Sequence, residues 1–203
     1  MKNFLITPFL FKNKYKKIVF GLNHEWYEFA KKNKLNLIII NNKNELDIIF
    51  KIKIHGLILS GGNDLSDIKK TTINSLREKN EIEIIKYIIK KRLPIIGICR
   101  GFQLIVFNFG IVPTRTKFHV KKNHKIYFSD NNFLKKKFIG VNSYHNYSIN
   151  KLPKEFKNIA SHVDKSIEIA SYKDNINCFM FHPERPNSSQ NAVNSYFKKV
   201  LQI

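Results

Sequence analysis

Cys99 sits in Gly97-Ile98-Cys99-Arg100-Gly101, after the apolar run 94–98 and before a second apolar segment, 102–109. A glycine two residues away on either side lets the backbone turn sharply and leaves the sulfur approachable. A short strand entering a helix through such a corner has the form of a nucleophile elbow, with cysteine in place of serine. The first N–H groups of that helix would face the sulfur and favour negative charge there. The same local pattern serves equally well for a buried structural cysteine, so other residues must decide.

Three further pieces complete a possible site. Phe181-His182-Pro183-Glu184 places a histidine after an apolar run with a carboxylate two residues on. The imidazole can take a thiol proton and return it to a leaving group, while the carboxylate fixes its tautomer and orientation. Alone, His-Pro-Glu is an ordinary loop tripeptide. In Ser60-Gly61-Gly62-Asn63-Asp64, backbone N–H groups could face a developing oxyanion together with that of Arg100, although Gly-Gly also suits a plain strand-to-helix turn. Asn142, Ser143, Tyr144 and His145 form a polar, aromatic cluster able to hold the charged groups of an amino acid, or else an exposed turn. The seven histidines are scattered and none pairs with cysteine at ligand spacing, so neither a metal set nor a cofactor is expected.

The elements that must position these residues alternate between strand and helix. Residues 4–6, 35–40, 56–59 and 94–98 read as strands, the last three as buried apolar runs. Residues 23–30 read as a helix capped by Asn23, with Trp26, Phe29 and Ala30 on one face. The span 71–92 is the strongest helical pattern, with Ile82, Ile85, Ile88 and Ile89 as its expected apolar stripe. Such alternation implies an α/β fold with a mostly parallel sheet covered on both faces, and ligands bind beyond the carboxyl ends of its strands. Shorter strands are expected at 125–129, 138–142, 166–172 and 177–181, a basic connection at 113–125, and a closing helix at 190–202 that turns Val193, Phe197, Val200 and Leu201 inward.

The 203 residues suit one domain, and 43% hydrophobic content with 17 Phe excludes a disordered chain. Two cysteines cannot build a disulfide scaffold, and no apolar run has signal-peptide or membrane-spanning length, so a cytoplasmic protein is expected. The net charge of +21 fits nucleic acid, an anionic membrane or an anionic small substrate. Its lysines, however, are spread along the whole chain, as on a solvated lysine-rich surface.

Taken in order, the elbow with Gln103, the cluster 142–145 and Phe181-His182-Pro183-Glu184 resemble the class I glutamine amidotransferase superfamily, and within it the γ-glutamyl hydrolase branch. Arg77, Glu78 and Glu81 also look like that branch's helix, and the likeness spans 56–185. The resemblance implies one domain over 1–203 with a flavodoxin-like three-layer fold. It implies a Cys99–His182–Glu184 triad, an oxyanion hole from the Gly62 and Arg100 amides, and a γ-glutamyl thioester on Cys99. Gly61, Asn63, Gln103, Asn142, Ser143, Tyr144 and His145 would contact substrate. The expected partner is an anionic γ-glutamyl small molecule, without nucleic acid or membrane. A glutaminase subunit feeding ammonia to a synthetase is the second reading. A nucleic-acid binder rests on charge alone, and binding needs no elbow, histidine and carboxylate in order.

Overall fold

The computed structural model describes residues 1–129, 132–173 and 175–202. In chain order its strands and helices are β1 (Lys2–Thr7), β2 (Phe9–Lys12), β3 (Ile18–Gly21), α1 (His24–Asn33), β4 (Leu35–Ile39), α2 (Leu46–Ile49), β5 (Gly56–Leu59) and α3 (Thr72–Lys90). There follow β6 (Ile95–Ile98), α4 (Arg100–Phe107), β7 (Thr114–Arg115), β8 (Val120–Phe128), β9 (Phe138–Tyr144), β10 (Tyr147–Ser148), β11 (Phe156–Ser161), β12 (Ile167–Tyr172), β13 (Ile176–Phe179) and α5 (Gln190–Leu201). A nine-stranded sheet in the order β4-β1-β5-β6-β13-β12-β11-β8-β9 runs through the molecule. Five of its nine strands, β4 to β13 in that order, are mutually parallel, and the rest continue antiparallel.

Strand alternation explains the three layers. Phe4, Ile6, Ile58, Ile96 and Ile98 face one side, against Trp26 and Phe29 of α1 and Phe197 of α5. Leu5, Leu57, Leu59 and Ile95 face the other, against Ile84 and Ile88 of α3 and Phe102 and Ile105 of α4. A pleated strand sends successive side chains to opposite faces, so parallel strands buried on both sides must be apolar throughout. The expected inward face of α5 is observed: Val193, Phe197 and Leu201 are buried and Val200 packs beside them.

Two expectations need correction, and one open stretch is filled in. Asn23 precedes α1, but its side chain makes no capping bond; its backbone carbonyl accepts from Trp26 instead. The buried face of α3 is Asn74, Arg77, Glu78, Glu81, Ile84 and Ile88, whereas Ile89 is exposed and Ile82 and Ile85 only half-buried. The ion-paired Arg77 and Glu81 lie on that inward face. The basic connection 113–125, whose structure the sequence left open, contains β7 and the first six residues of β8.

Candidate active site

The turn from β6 to α4 has the elbow geometry. Cys99 adopts φ 52° and ψ −104°, a conformation that costs a non-glycine residue about 1–3 kcal/mol. The turn is held by the Cys99 N–H, which donates to the Phe179 carbonyl at 2.7 Å, and by the Gln103 N–H, which donates to the Cys99 carbonyl at 3.1 Å. Gly101 has no room for a side chain, since a Cβ would lie 2.3 Å from the Leu59 carbonyl oxygen. The other cysteine, Cys178, is fully buried on β13, and burial pushes its thiol pKa up, which suits a structural role.

Because β13 lies parallel beside β6, their carboxyl ends share one edge, and His182 follows β13 at that edge. His182 Nδ1 lies 2.7 Å from Glu184 Oε1. Burial opposes a charged imidazole, but Glu184 and a hydrogen bond with Cys99 outweigh it, and the pKa of His182 is raised to about 10. Asn142 holds the histidine's backbone from both sides: its Oδ1 accepts from the His182 N–H at 2.9 Å, and its Nδ2 donates to the His182 carbonyl at 2.7 Å. Asn187 donates to the same carbonyl at 3.1 Å.

Gly61 lies between nucleophile and base. A Cβ there would fall 2.6 Å from His182 Cε1 and 3.5 Å from the Cys99 Cβ. Gly62, with φ of +83°, takes a conformation that favours glycine. Arg77 gathers this turn: Nη1 donates to the carbonyls of Gly61 and Gly62, each at 3.0 Å, and Nη2 donates to the Ser60 carbonyl at 2.8 Å. In a planar trans peptide the carbonyl and the following N–H point oppositely, so the Gly62 N–H is aimed away from Arg77. Glu81 accepts from Arg77 Nε at 3.0 Å and from Thr7 Oγ1 at 2.7 Å, and its other oxygen pairs with Arg100. One buried carboxylate thus links the glycine turn to the first residue of α4. A cavity of about 180 Å³ opens beside these groups, lined by Ser60, Gly61, Gly62, His182 and Arg185 among others.

The remaining expected residues divide sharply. Asn63 Oδ1 accepts from the Leu10 N–H and from Arg77 Nη1, and the residue also lines the cavity beside the site. Gln103 donates to the Tyr147 carbonyl at 2.9 Å. Asn142 serves the His182 backbone, Ser143 Oγ donates to the His119 carbonyl, and His145 is buried against Tyr147 and Glu168. All three side chains are buried and make their hydrogen bonds to protein groups. Tyr144 does face the site, its ring edge-on to His182 with centroids 6.0 Å apart and the Arg185 guanidinium over it. The Arg100 side chain turns inward to Glu81, so only its backbone can serve a ligand. Sequence reasoning did not find the bracing role of Arg77 and Glu81. Their four-residue spacing on a helix was the available signal.

Comparison with known proteins agrees with this geometry. The family model for glutamine amidotransferase class-I matches residues 15–202. The chain is 37% identical to the gamma-glutamyl-CDP-amidate hydrolase of Campylobacter jejuni, over 70% of this chain and 68% of that protein. It is 36% identical to the GMP synthase [glutamine-hydrolyzing] of Campylobacter hominis, over 66% of this chain but only 25% of that protein. A solved structure from Thermoplasma acidophilum, provisionally assigned to a GMP synthase, covers 100% of this chain and 94% of its own. Its TM-score of 0.73 at 21% identity speaks for the fold alone. An elbow cysteine beside a histidine–carboxylate pair, on a sheet of this topology and with this family match, leads to one conclusion: the chain belongs to the class-I glutamine amidotransferase family.

Proposed function

We propose that the chain is a free-standing cysteine hydrolase of γ-glutamyl–nitrogen bonds, with Cys99, His182 and Glu184 as its catalytic triad. The observation that carries this reading is the meeting of the strained Cys99 turn with His182, itself held by Glu184 at 2.7 Å. Cys99 gives its thiol proton to His182, its Sγ attacks the γ-carbonyl carbon, and a C–S bond forms as the carbonyl oxygen becomes an oxyanion. The backbone N–H groups of Gly62 and Arg100 stabilise that charge, which exists only along the reaction path. As the C–N bond breaks, the His182 imidazolium donates its proton to the leaving nitrogen. His182, now neutral, takes a proton from water, whose oxygen attacks the thioester; the C–S bond breaks, glutamate leaves, and the proton returns from His182 to Cys99 Sγ. Glu184 holds the imidazole through Nδ1 and stabilises its charged form.

Within this class the proposed substrate is γ-glutamyl-CDP-amidate, cleaved to glutamate and cytidine diphosphoramidate in capsular polysaccharide phosphoramidate biosynthesis. Support comes from the Campylobacter jejuni relative and from the exposed cations Arg115 and Lys117. Arg115 pairs with Tyr147, whose carbonyl accepts from Gln103 on the nucleophile's helix. The second reading, a glutaminase subunit of a synthetase, draws on the GMP synthase relatives. The two separate on autonomy. The purified chain, without ATP or partner, is expected to release glutamate from γ-glutamyl-CDP-amidate faster than from glutamine or γ-glutamyl-γ-aminobutyrate. A chain inert alone, yet active on glutamine once a synthetase is added, would establish the second reading instead.

A further inference from the structure

The antiparallel half of the sheet gathers side chains that amide hydrolysis does not use. His119 precedes β8, His124 lies on β8, His145 falls between β9 and β10, and Glu168 lies on β12. Their side chains are at most 9% exposed. The Glu168 carboxylate is 3.8 Å from His119 Nδ1, 3.6 Å from His145 Nε2 and 3.5 Å from His124 Nε2. These separations exceed those of ordinary N–H···O bonds. None of the three nitrogens has a hydrogen-bond partner among the described residues.

The far side of two rings fixes what the near side offers. His145 Nδ1 lies 3.1 Å from the Tyr147 carbonyl, which can only accept, so Nδ1 carries hydrogen there. His119 Nε2 lies 2.7 Å from Asp164 Oδ2 and is the donor by the same logic. In the neutral rings His119 Nδ1 and His145 Nε2 then present bare lone pairs to a carboxylate, an arrangement that repels itself unless a cation lies between. A shared proton would draw each nitrogen and oxygen to about 2.7–2.9 Å. Ligands 2.0–2.1 Å from a tetrahedral Zn²⁺ stand about 3.3–3.4 Å apart, much nearer the observed spacing.

We propose that His119, His145 and Glu168 form a binding site for a divalent transition-metal ion, with Zn²⁺ the best match. Imidazole nitrogens with a carboxylate oxygen are a donor set suited to Zn²⁺. Asp164 and the Tyr147 carbonyl supply the outer contacts that orient metal-bound histidines. His162 stacks on His124 with ring centroids 4.4 Å apart and closes one side. These three ligands are buried, and the fourth position of a tetrahedral ion falls to water. It joins the segment just before β8, the β9–β10 turn and β12, and it anchors His145 immediately after Tyr144, whose ring packs against His182. The expectation that no metal set exists, drawn from scattered histidines, is replaced by this site.

The test uses the full chain produced without a histidine tag or chelator. Elemental analysis should find zinc equimolar with protein. Stripping the metal should lower the melting temperature, Zn²⁺ should restore it, and Co²⁺ should give the intense visible bands of a four-coordinate ion. Glu168→Gln and His145→Asn should abolish equimolar binding. Asp164 touches only His119 among the proposed ligands and its side chain is 41% exposed. A folded Asp164→Asn variant is therefore expected, with zinc affinity about 10–100-fold weaker. A folded wild-type chain that binds no Zn²⁺ and melts identically with and without it would overturn the proposal. Equimolar binding unchanged in Glu168→Gln and Asp164→Asn would overturn it equally.

Discussion

Glu81→Gln removes a single charge and keeps the side chain's shape, yet two guanidinia depend on that charge. Arg77 and Arg100 are each 1% exposed where they meet Glu81, which is 2% exposed. Breaking a buried ion pair from one side costs about 3–5 kcal/mol, because an uncompensated charge remains out of water. Two stranded cations place this case at the upper end, about 5 kcal/mol, a large share of a domain's total of about 5–15 kcal/mol. The same change frees Arg77 to shift, and with it the carbonyls of Ser60, Gly61 and Gly62. Loss of one oxyanion donor costs about 10²–10³ in kcat, so a loosened donor is expected to cost about 10–100-fold. Urea unfolding followed by Trp26 fluorescence gives the stability change, and glutamate release at a temperature where the variant stays folded gives kcat. Glu78→Gln is the control: it lies on the same helix but accepts from Ser66 at 2.8 and 2.9 Å, away from Arg100. A Glu81→Gln variant within about 1 kcal/mol of wild type and with unchanged kcat would refute the bracing role. Lost stability with unchanged kcat would refute its link to the oxyanion turn.

Cys99→Ser is expected to abolish turnover, and Cys178→Ala to leave it largely intact; steady-state glutamate release from the two folded variants checks the choice of thiol. The raised pKa of His182 carries a stability signature: its contribution is complete below the unfolded value of 6.5 and is lost as pH climbs through about 10. The unfolding free-energy difference between wild type and His182→Asn should shrink over that window, and a difference constant from about pH 6 to 10 would contradict it. If Arg115 and Lys117 capture an anionic nucleotide-linked substrate, its kcat/KM should fall with salt, as exposed charges are screened over about 8 Å. A neutral γ-glutamyl amide should show a weaker slope, and Arg115→Ala and Lys117→Ala should impair the anionic substrate selectively; equal slopes would return these cations to a solvating role.

What sequence made legible follows the range of the interactions involved. The elbow is local: two glycines, a cysteine and an apolar strand lie within about eight residues of one another, and steric rules alone predict the turn. His182 and Glu184 are two residues apart, so their pairing was equally open to reading. The central strands followed from their apolar runs, and the packing of Val193, Phe197 and Leu201 from helical period. The braces were hidden because Arg77, Glu81 and Arg100 look like any surface charges until the fold buries them. Arg77 and Glu81 lie on the buried face of α3, where an isoleucine stripe was expected. The hold of Asn142 on the His182 backbone was hidden too, because nothing local shows that β9 runs alongside the residues after β13. The histidine cluster is the extreme case. His119 and Glu168 are brought together only by β8 pairing with β11 and β11 with β12, a topology that spacing along the chain does not encode.

The covalent intermediate is the central claim, and intact-protein mass spectrometry of a rapidly quenched reaction tests it most directly. Mixed with a γ-glutamyl substrate and quenched in acid within the first turnover, the chain is expected to gain the mass of one γ-glutamyl group. Peptide mapping should place that group on Cys99, and the adduct should be absent from Cys99→Ser. Full turnover by wild type with no adduct at any quench time, or an adduct carried by Cys178, would contradict the Cys99 thioester.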